Sequence, residues 1–149
     1  MPEAVEGIVR PPRSVRQRPA ESSSRLVVAV FVGGVAGALL RAGAERAFPA
    51  AAHGWPWTTF VVNIGGALAL GVFATRLQER LPPSTLKRPL LGTGFCGALT
   101  TFSTLQVEVL QLARHGRPWV AAAYLGSSVV AGLVGLQLAT AFTRRARLR

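Results

Sequence analysis

Along this chain apolar positions do not alternate with polar ones. They fall into four long runs divided by charge. Residues 26–40 read LVVAVFVGGVAGALL with no charged side chain until Arg41. A second uncharged stretch runs from Ala47 to Thr75, and the part predicted to cross a bilayer begins at Trp57. The third begins at Pro89, meets Glu108 and stays apolar to Ala113, and the fourth runs from Pro118 to Thr143. A helix needs about 20 predominantly apolar residues to cross a membrane. Three runs meet that length, and the first does so by continuing past Arg41 to about Phe48. The pattern predicts an all-α membrane protein with four transmembrane helices, at about 26–47, 57–76, 89–113 and 118–142. Residues 1–25, with five arginines among Pro, Ser and Glu and no apolar period, read as a disordered basic tail. Residues 144–149 read as a second, short basic tail.

Composition sharpens the class. Of 149 residues, 50% are hydrophobic and 15% charged, with a mean hydropathy of +0.36; a soluble domain carries about 25% charged residues. The formal charge is nevertheless +11, from 17 Lys+Arg against 6 Asp+Glu. Sparse, mostly positive charge on an apolar chain is the signature of a membrane protein with arginines in its loops, not of a soluble nucleic-acid binder. With four spans, the two ends and the middle loop share one side and hold 13 of the Lys+Arg, against 4 (Arg41, Arg46, Arg114 and Arg117) on the other. Setting the N-terminal tail aside leaves 8 against 4. Both termini are therefore expected in the cytoplasm, with the chain in the plasma membrane. The first run also has features of a signal peptide, with Ala42-Gly43-Ala44 as a cleavage site. Arg41 and Glu45 crowd that site, however, and the basic region before it is unusually long.

Most motifs have simple readings. Gly92-Thr93-Gly94-Phe95-Cys96-Gly97 matches the dinucleotide pattern, but it lacks a preceding strand and an acid about 20 positions on. His53 and His115 fall in loops without partner ligands, and Cys96, the lone cysteine, reads as a buried packing residue. Gly33 and Gly37 form a small-xxx-small pair suited to close helix packing. Two features ask for more. Gly97-Ala98-Leu99-Thr100-Thr101-Phe102-Ser103-Thr104 follows closely spaced glycines with β-branched and hydroxyl residues, which weakens helix propensity near the middle of the third span. A helix broken there exposes carbonyls that must be buried in protein, line water or meet an ion. The alternative is a glycine-rich packing face with its hydroxyls bonded back to the helix. The second feature is the polar stripe: Asn63 with Thr59 four residues earlier, and Tyr124 with Ser128 four residues later. Hydrogen-bond donors without acidic partners favour an anion, and Glu108 is the one carboxylate that could lie at membrane depth.

Gly33-Gly34-Val35-Ala36-Gly37-Ala38-Leu39-Leu40-Arg41, the Thr59 and Asn63 pair with Gly65-Gly66, and the stretch from Gly94 to Thr104 closely resemble the Fluc (CrcB-type) fluoride channel family. The likeness covers residues 26–143, and its third-span motif is highly specific. The resemblance implies an antiparallel dimer of four-helix subunits, each third helix broken at mid-membrane, with two narrow anion pores. It implies Phe102 as a pore phenyl, Asn63 as the pore amide, and Ser128 and Tyr124 as donors from the fourth span. Thr59, Ser103 and Thr104 would be further hydroxyls of that path. It also implies a structural, untransported Na⁺ at the dimer centre, held by backbone carbonyls at positions matching Gly97 and Thr100. Arg41 matches the arginine that ends the first helix, and Glu108 the acid after the third-span motif.

Two positions depart from the family pattern: Leu105 stands where a second aromatic is usual, and Gly132 where a hydroxyl is frequent. Both lower the number of donors, so the competence of two pores in a homodimer is in doubt. The expected function is a fluoride-selective channel subunit that lets cytoplasmic fluoride leave the cell, reducing its toxicity. The alternative is a non-conducting or half-conducting partner in a heterodimer with a homologous second subunit. A small multidrug exporter would need a carboxylate inside the first span, and none precedes Glu45 there. No acid–base pair or activated nucleophile converges, so an enzyme is not expected.

Overall fold

The computed structural model describes residues 23–50, 54–80 and 86–146. The first basic segment up to residue 22, His53 and the last three residues lie outside that description. All regular structure among the described residues is helical. Helix α1 is Ser23–Ala47 and α2 is Trp57–Arg80. The third apolar run forms two pieces. The first, α3, is a π-wound segment Pro89–Cys96 that passes into a short α-helical turn, Gly97–Leu99. The second is α4, Phe102–Arg114, and α5 is Pro118–Arg145. Thus α1 takes in the last three residues of the predicted tail, 23–25, and α5 takes in Arg144 and Arg145. Among the described residues, three helices are long and apolar enough to cross a membrane: Ser23–Ala47, Trp57–Leu77 and Pro118–Arg145. Neither α3 nor α4 is long enough alone.

The helices are held by close backbone approach more than by a thick apolar core. A methyl group on Gly33 would overlap the carbonyl of Leu90, and one on Gly37 would overlap that of Phe95. On the facing side, a methyl on Gly94 would sit 2.5 Å from the Val30 carbonyl oxygen. The small-xxx-small reading of Gly33 and Gly37 therefore holds, and α3 is what packs there. Four residues of α1 face five of α3, and the wider π winding accommodates that mismatch. Gly71 makes the equivalent approach between α2 and α5, with the Leu136 carbonyl oxygen 2.7 Å from a methyl placed there. Beyond these seams, large side chains such as Phe31, Leu39, Val61, Val130 and Phe142 point outward. A membrane-facing or partner-facing surface has that character.

The apolar core that exists sits at one end, where Leu105, Leu112, Ala121 and Tyr124 are buried under Trp55 and Phe60. Trp55 meets Tyr124 edge-on, with ring centroids 5.3 Å apart.

Candidate functional site

Between Leu99 and Phe102 the backbone leaves the helix. Thr100 (φ −79°, ψ 147°) and Thr101 (φ −140°, ψ 123°) are extended. Helix ends leave backbone groups without intrahelical partners, and here each substitute can be traced. The Thr101 N–H, which would close onto Gly97 in a continuous helix, donates to Asn63 Oδ1 at 2.8 Å. Asn63 Nδ2 in turn donates to the Thr101 carbonyl at 3.0 Å. The two bonds fix which amide atom is oxygen, since one backbone partner is a donor and the other an acceptor. Arg41 Nε reaches from α1 to the Ala98 carbonyl at 3.3 Å while its Nη1 pairs with Glu45 at 3.0 Å. Thr101 caps α4, its Oγ1 accepting from the Thr104 N–H at 3.2 Å and donating to Thr104 Oγ1 at 3.1 Å. Ser103 Oγ lies 3.2 Å from the same hydroxyl. A methyl on Gly66 would overlap the Thr100 side chain, so α2 lies directly against the interruption.

Beside it, α2, α4 and α5 enclose a groove of about 340 Å³ whose walls include Asn63, Thr101, Phe102, Leu105, Ser128 and Gly132. Phe102 is 64% exposed. Ser128 is only 8% exposed, and its hydroxyl has no hydrogen-bond partner among the described residues. A buried, unsatisfied hydroxyl on the wall of a groove is a donor available to a ligand. Asn63 carries a second amide hydrogen beyond the one on Thr101. The walls contain no acidic or basic side chain.

Four residues along α2 and α5, about 6 Å away on each axis, lies a second polar layer. Glu108 accepts from Thr59 Oγ1 through one oxygen and from Tyr124 OH through the other, both at 2.7 Å. Tyr124 is fully buried and Thr59 nearly so. The Glu108 carboxylate is therefore turned toward two hydroxyls, and it is not among the walls of the groove.

The predicted site residues thus divide. Asn63, Phe102 and Ser128 share the groove. Thr59, Tyr124 and Glu108 form the neighbouring cluster, Ser103 and Thr104 gather at the start of α4, and Arg41 braces the end of α3. Gly97 and Thr100 sit at the interruption, and the donors that a continuous helix would offer their carbonyls are both diverted: the Thr101 N–H to Asn63, and the Thr104 N–H to Thr101 Oγ1. Carbonyl oxygens are hard ligands that suit a small cation, but two of them make only part of its coordination shell. Sequence reasoning missed Trp55, whose buried indole N–H also finds no partner among the described residues. The aromatic cluster Trp55-Pro56-Trp57 ahead of α2 was the available signal.

The family model for CrcB-like protein, Camphor Resistance (CrcB), matches residues 28–140. Among curated relatives, the chain is similar to "Fluoride-specific ion channel FluC 1" of Mycolicibacterium paratuberculosis, 51% identical over 130 residues, which is 87% of this chain and 98% of the relative. It is similar to the protein of the same name from Mycobacterium bovis, 53% identical over 126 residues, 84% of this chain and 95% of that one. A third relative, "Fluoride-specific ion channel FluC 1" of Streptomyces coelicolor, is 41% identical over 120 residues, 80% of this chain and 78% of its own length.

Proposed function

The chain belongs to the CrcB family, and on that premise we propose that it is a fluoride-selective channel subunit through which cytoplasmic fluoride leaves the cell. The observation that carries this reading is the groove, which joins the Asn63 amide, the unpartnered Ser128 hydroxyl and the exposed Phe102 ring with no formal charge on its walls. Fluoride is small and strongly hydrated. A path that selects it must replace water with several donors yet hold the ion weakly enough to release it. Amide and hydroxyl hydrogens and the positive edge of a phenyl ring do this, whereas an arginine in the path would trap the ion. Clamping by Thr101 holds the Asn63 amide in one orientation. Engagement by Thr59 and Tyr124 keeps the Glu108 charge off the groove.

A groove open on one side needs a second surface to become a pore. The proposed assembly is an antiparallel dimer in the plasma membrane, with α3 and α4 together forming the interrupted third of four spans. At its centre the carbonyls of Gly97 and Thr100, with those at the matching positions of the partner, would hold a structural Na⁺, which would supply a positive charge binding the two interrupted helices together. Two oxygens per chain make such a site incomplete without a partner. The 13-to-4 distribution of Lys+Arg favours one insertion with both termini cytoplasmic. Subunits inserted the same way cannot pair antiparallel, so the partner is a homologous second subunit of opposite bias. Leu105 favours the reading that one of the two pores is impaired: it is 3% exposed, packed in the core beside Tyr124, and offers no ring edge.

The test is Asn63→Asp in correctly assembled protein. A fixed negative charge replaces the amide, and fluoride efflux is expected to cease. Undiminished efflux would refute the assignment of this groove as the pore.

A further inference from the structure

A second groove lies at the other end of the α1–α3 seam. It has a volume of about 470 Å³ and is walled by Arg25, Val28, Ala29, Val32, Leu86 and Leu90. Arg25 stands at its mouth, Lys87 and Arg88 follow directly on Leu86, and residues 23–32 and 86–93 contain no acidic side chain. Around the start of α3, a neighbouring groove of about 510 Å³ is lined by Leu26, Leu77, Arg88 and Pro89 among others. Arg88 also donates to the Leu77 carbonyl through Nε at 3.0 Å, which fixes the guanidinium at this end of the molecule. From Arg25 to Val32 the first groove extends about 10 Å along α1. That is less than the roughly 15 Å of one hydrocarbon leaflet.

We infer that this basic-mouthed groove seats one anionic phospholipid, its phosphate at Arg25 and Lys87 and the upper part of one acyl chain along Val28, Val32 and Leu90. The apolar walls match a chain that enters from the headgroup level. The basic side chains at this end attract an anion, and juxtamembrane basic residues attract acidic lipid with about 1 kcal/mol each. The flanking segment, residues 1–22, is itself net basic, with four arginines against three glutamates. The inference rests on the chain spanning a membrane and does not depend on which ion it passes.

The experiment is native mass spectrometry of the purified full chain, titrated with phosphatidylglycerol or phosphatidylcholine of identical acyl chains. The wild type should retain phosphatidylglycerol selectively. R25Q/K87Q should weaken that retention about 25-fold, or about fivefold for each charge removed, and leave phosphatidylcholine unchanged. The charge-keeping R25K/K87R should retain the lipid. V28W, at a position 59% exposed, should fill the groove and displace the lipid with all charges in place. N63D should leave retention intact, which separates this inference from the pore assignment. Equal retention of the two lipids, or undiminished retention in R25Q/K87Q, would overturn it. So would efficient disulfide cross-linking of V28C between two copies, which would make the groove a protein interface.

Discussion

At the residue scale, Ser128 and Tyr124 sit one turn apart on α5 yet are bonded differently, and their substitutions should separate stability from flux. Ser128→Ala deletes a hydroxyl that has no partner within the described chain. Removing an unsatisfied buried polar group is neutral or stabilising, so the thermal midpoint should hold or rise. A donor lost to a passing anion weakens a charge-assisted bond, so fluoride efflux should fall about tenfold or more. Tyr124→Phe keeps the buried ring but strips one partner from Glu108, and should cost about 1–3 kcal/mol of stability, read as a lower unfolding midpoint. Flux normal in S128A would contradict the placement of its hydroxyl, and an unchanged midpoint in Y124F would contradict the Glu108 pairing. The polar stripe itself was legible from spacing, because residues four apart share a helical face. Its division into a groove layer and a Glu108 layer was not. That division depends on which neighbour reaches each hydroxyl, and the partners lie 16 and 49 positions away.

At the element scale, the α1–α3 seam is the least tolerant part of the fold. Gly33→Val or Gly37→Val drives a branched side chain into a backbone carbonyl that cannot move without shifting α3, so loss of more than about 4 kcal/mol is expected. The measurement is recovery of monodisperse protein after solubilisation. Gly43→Val, where an added methyl meets nothing, should be recovered like wild type. Equal recovery of all three variants would contradict the seam. The glycines of α1 could be identified because their four-residue spacing is the helical one. Their counterpart in α3 could not, because patterns presume a 3.6-residue period and Pro89–Cys96 is π-wound. The threonine-rich stretch showed where helix propensity weakens, while the Asn63 clamp on Thr101 involves backbone atoms that every residue has. Helices apolar all round also hide their buried face, so periodicity alone did not say which side of α1 or α5 packs inward.

At the scale of the whole molecule, the chain is half of a proposed assembly. If the carbonyls of Gly97 and Thr100 hold a shared Na⁺, replacing Na⁺ by a large organic cation during purification should reduce the dimer fraction; an unchanged fraction would remove the ion from the account. The charge bias calls for a C-terminal reporter active only on the cytoplasmic side, and equal activity on both sides would restore self-pairing. Apolar runs made the membrane class legible, because the bilayer imposes a length rule that acts on sequence directly. Partner choice was not, since in the proposed assembly the second surface of the groove comes from another chain. The most direct test of the central claim is anion efflux from liposomes, with this chain reconstituted alone and together with a homologous subunit from its own source. The account expects fluoride to leave and chloride to be retained, with little efflux from the chain alone. Chloride leaving as fast as fluoride, or no fluoride efflux from either preparation, would contradict it.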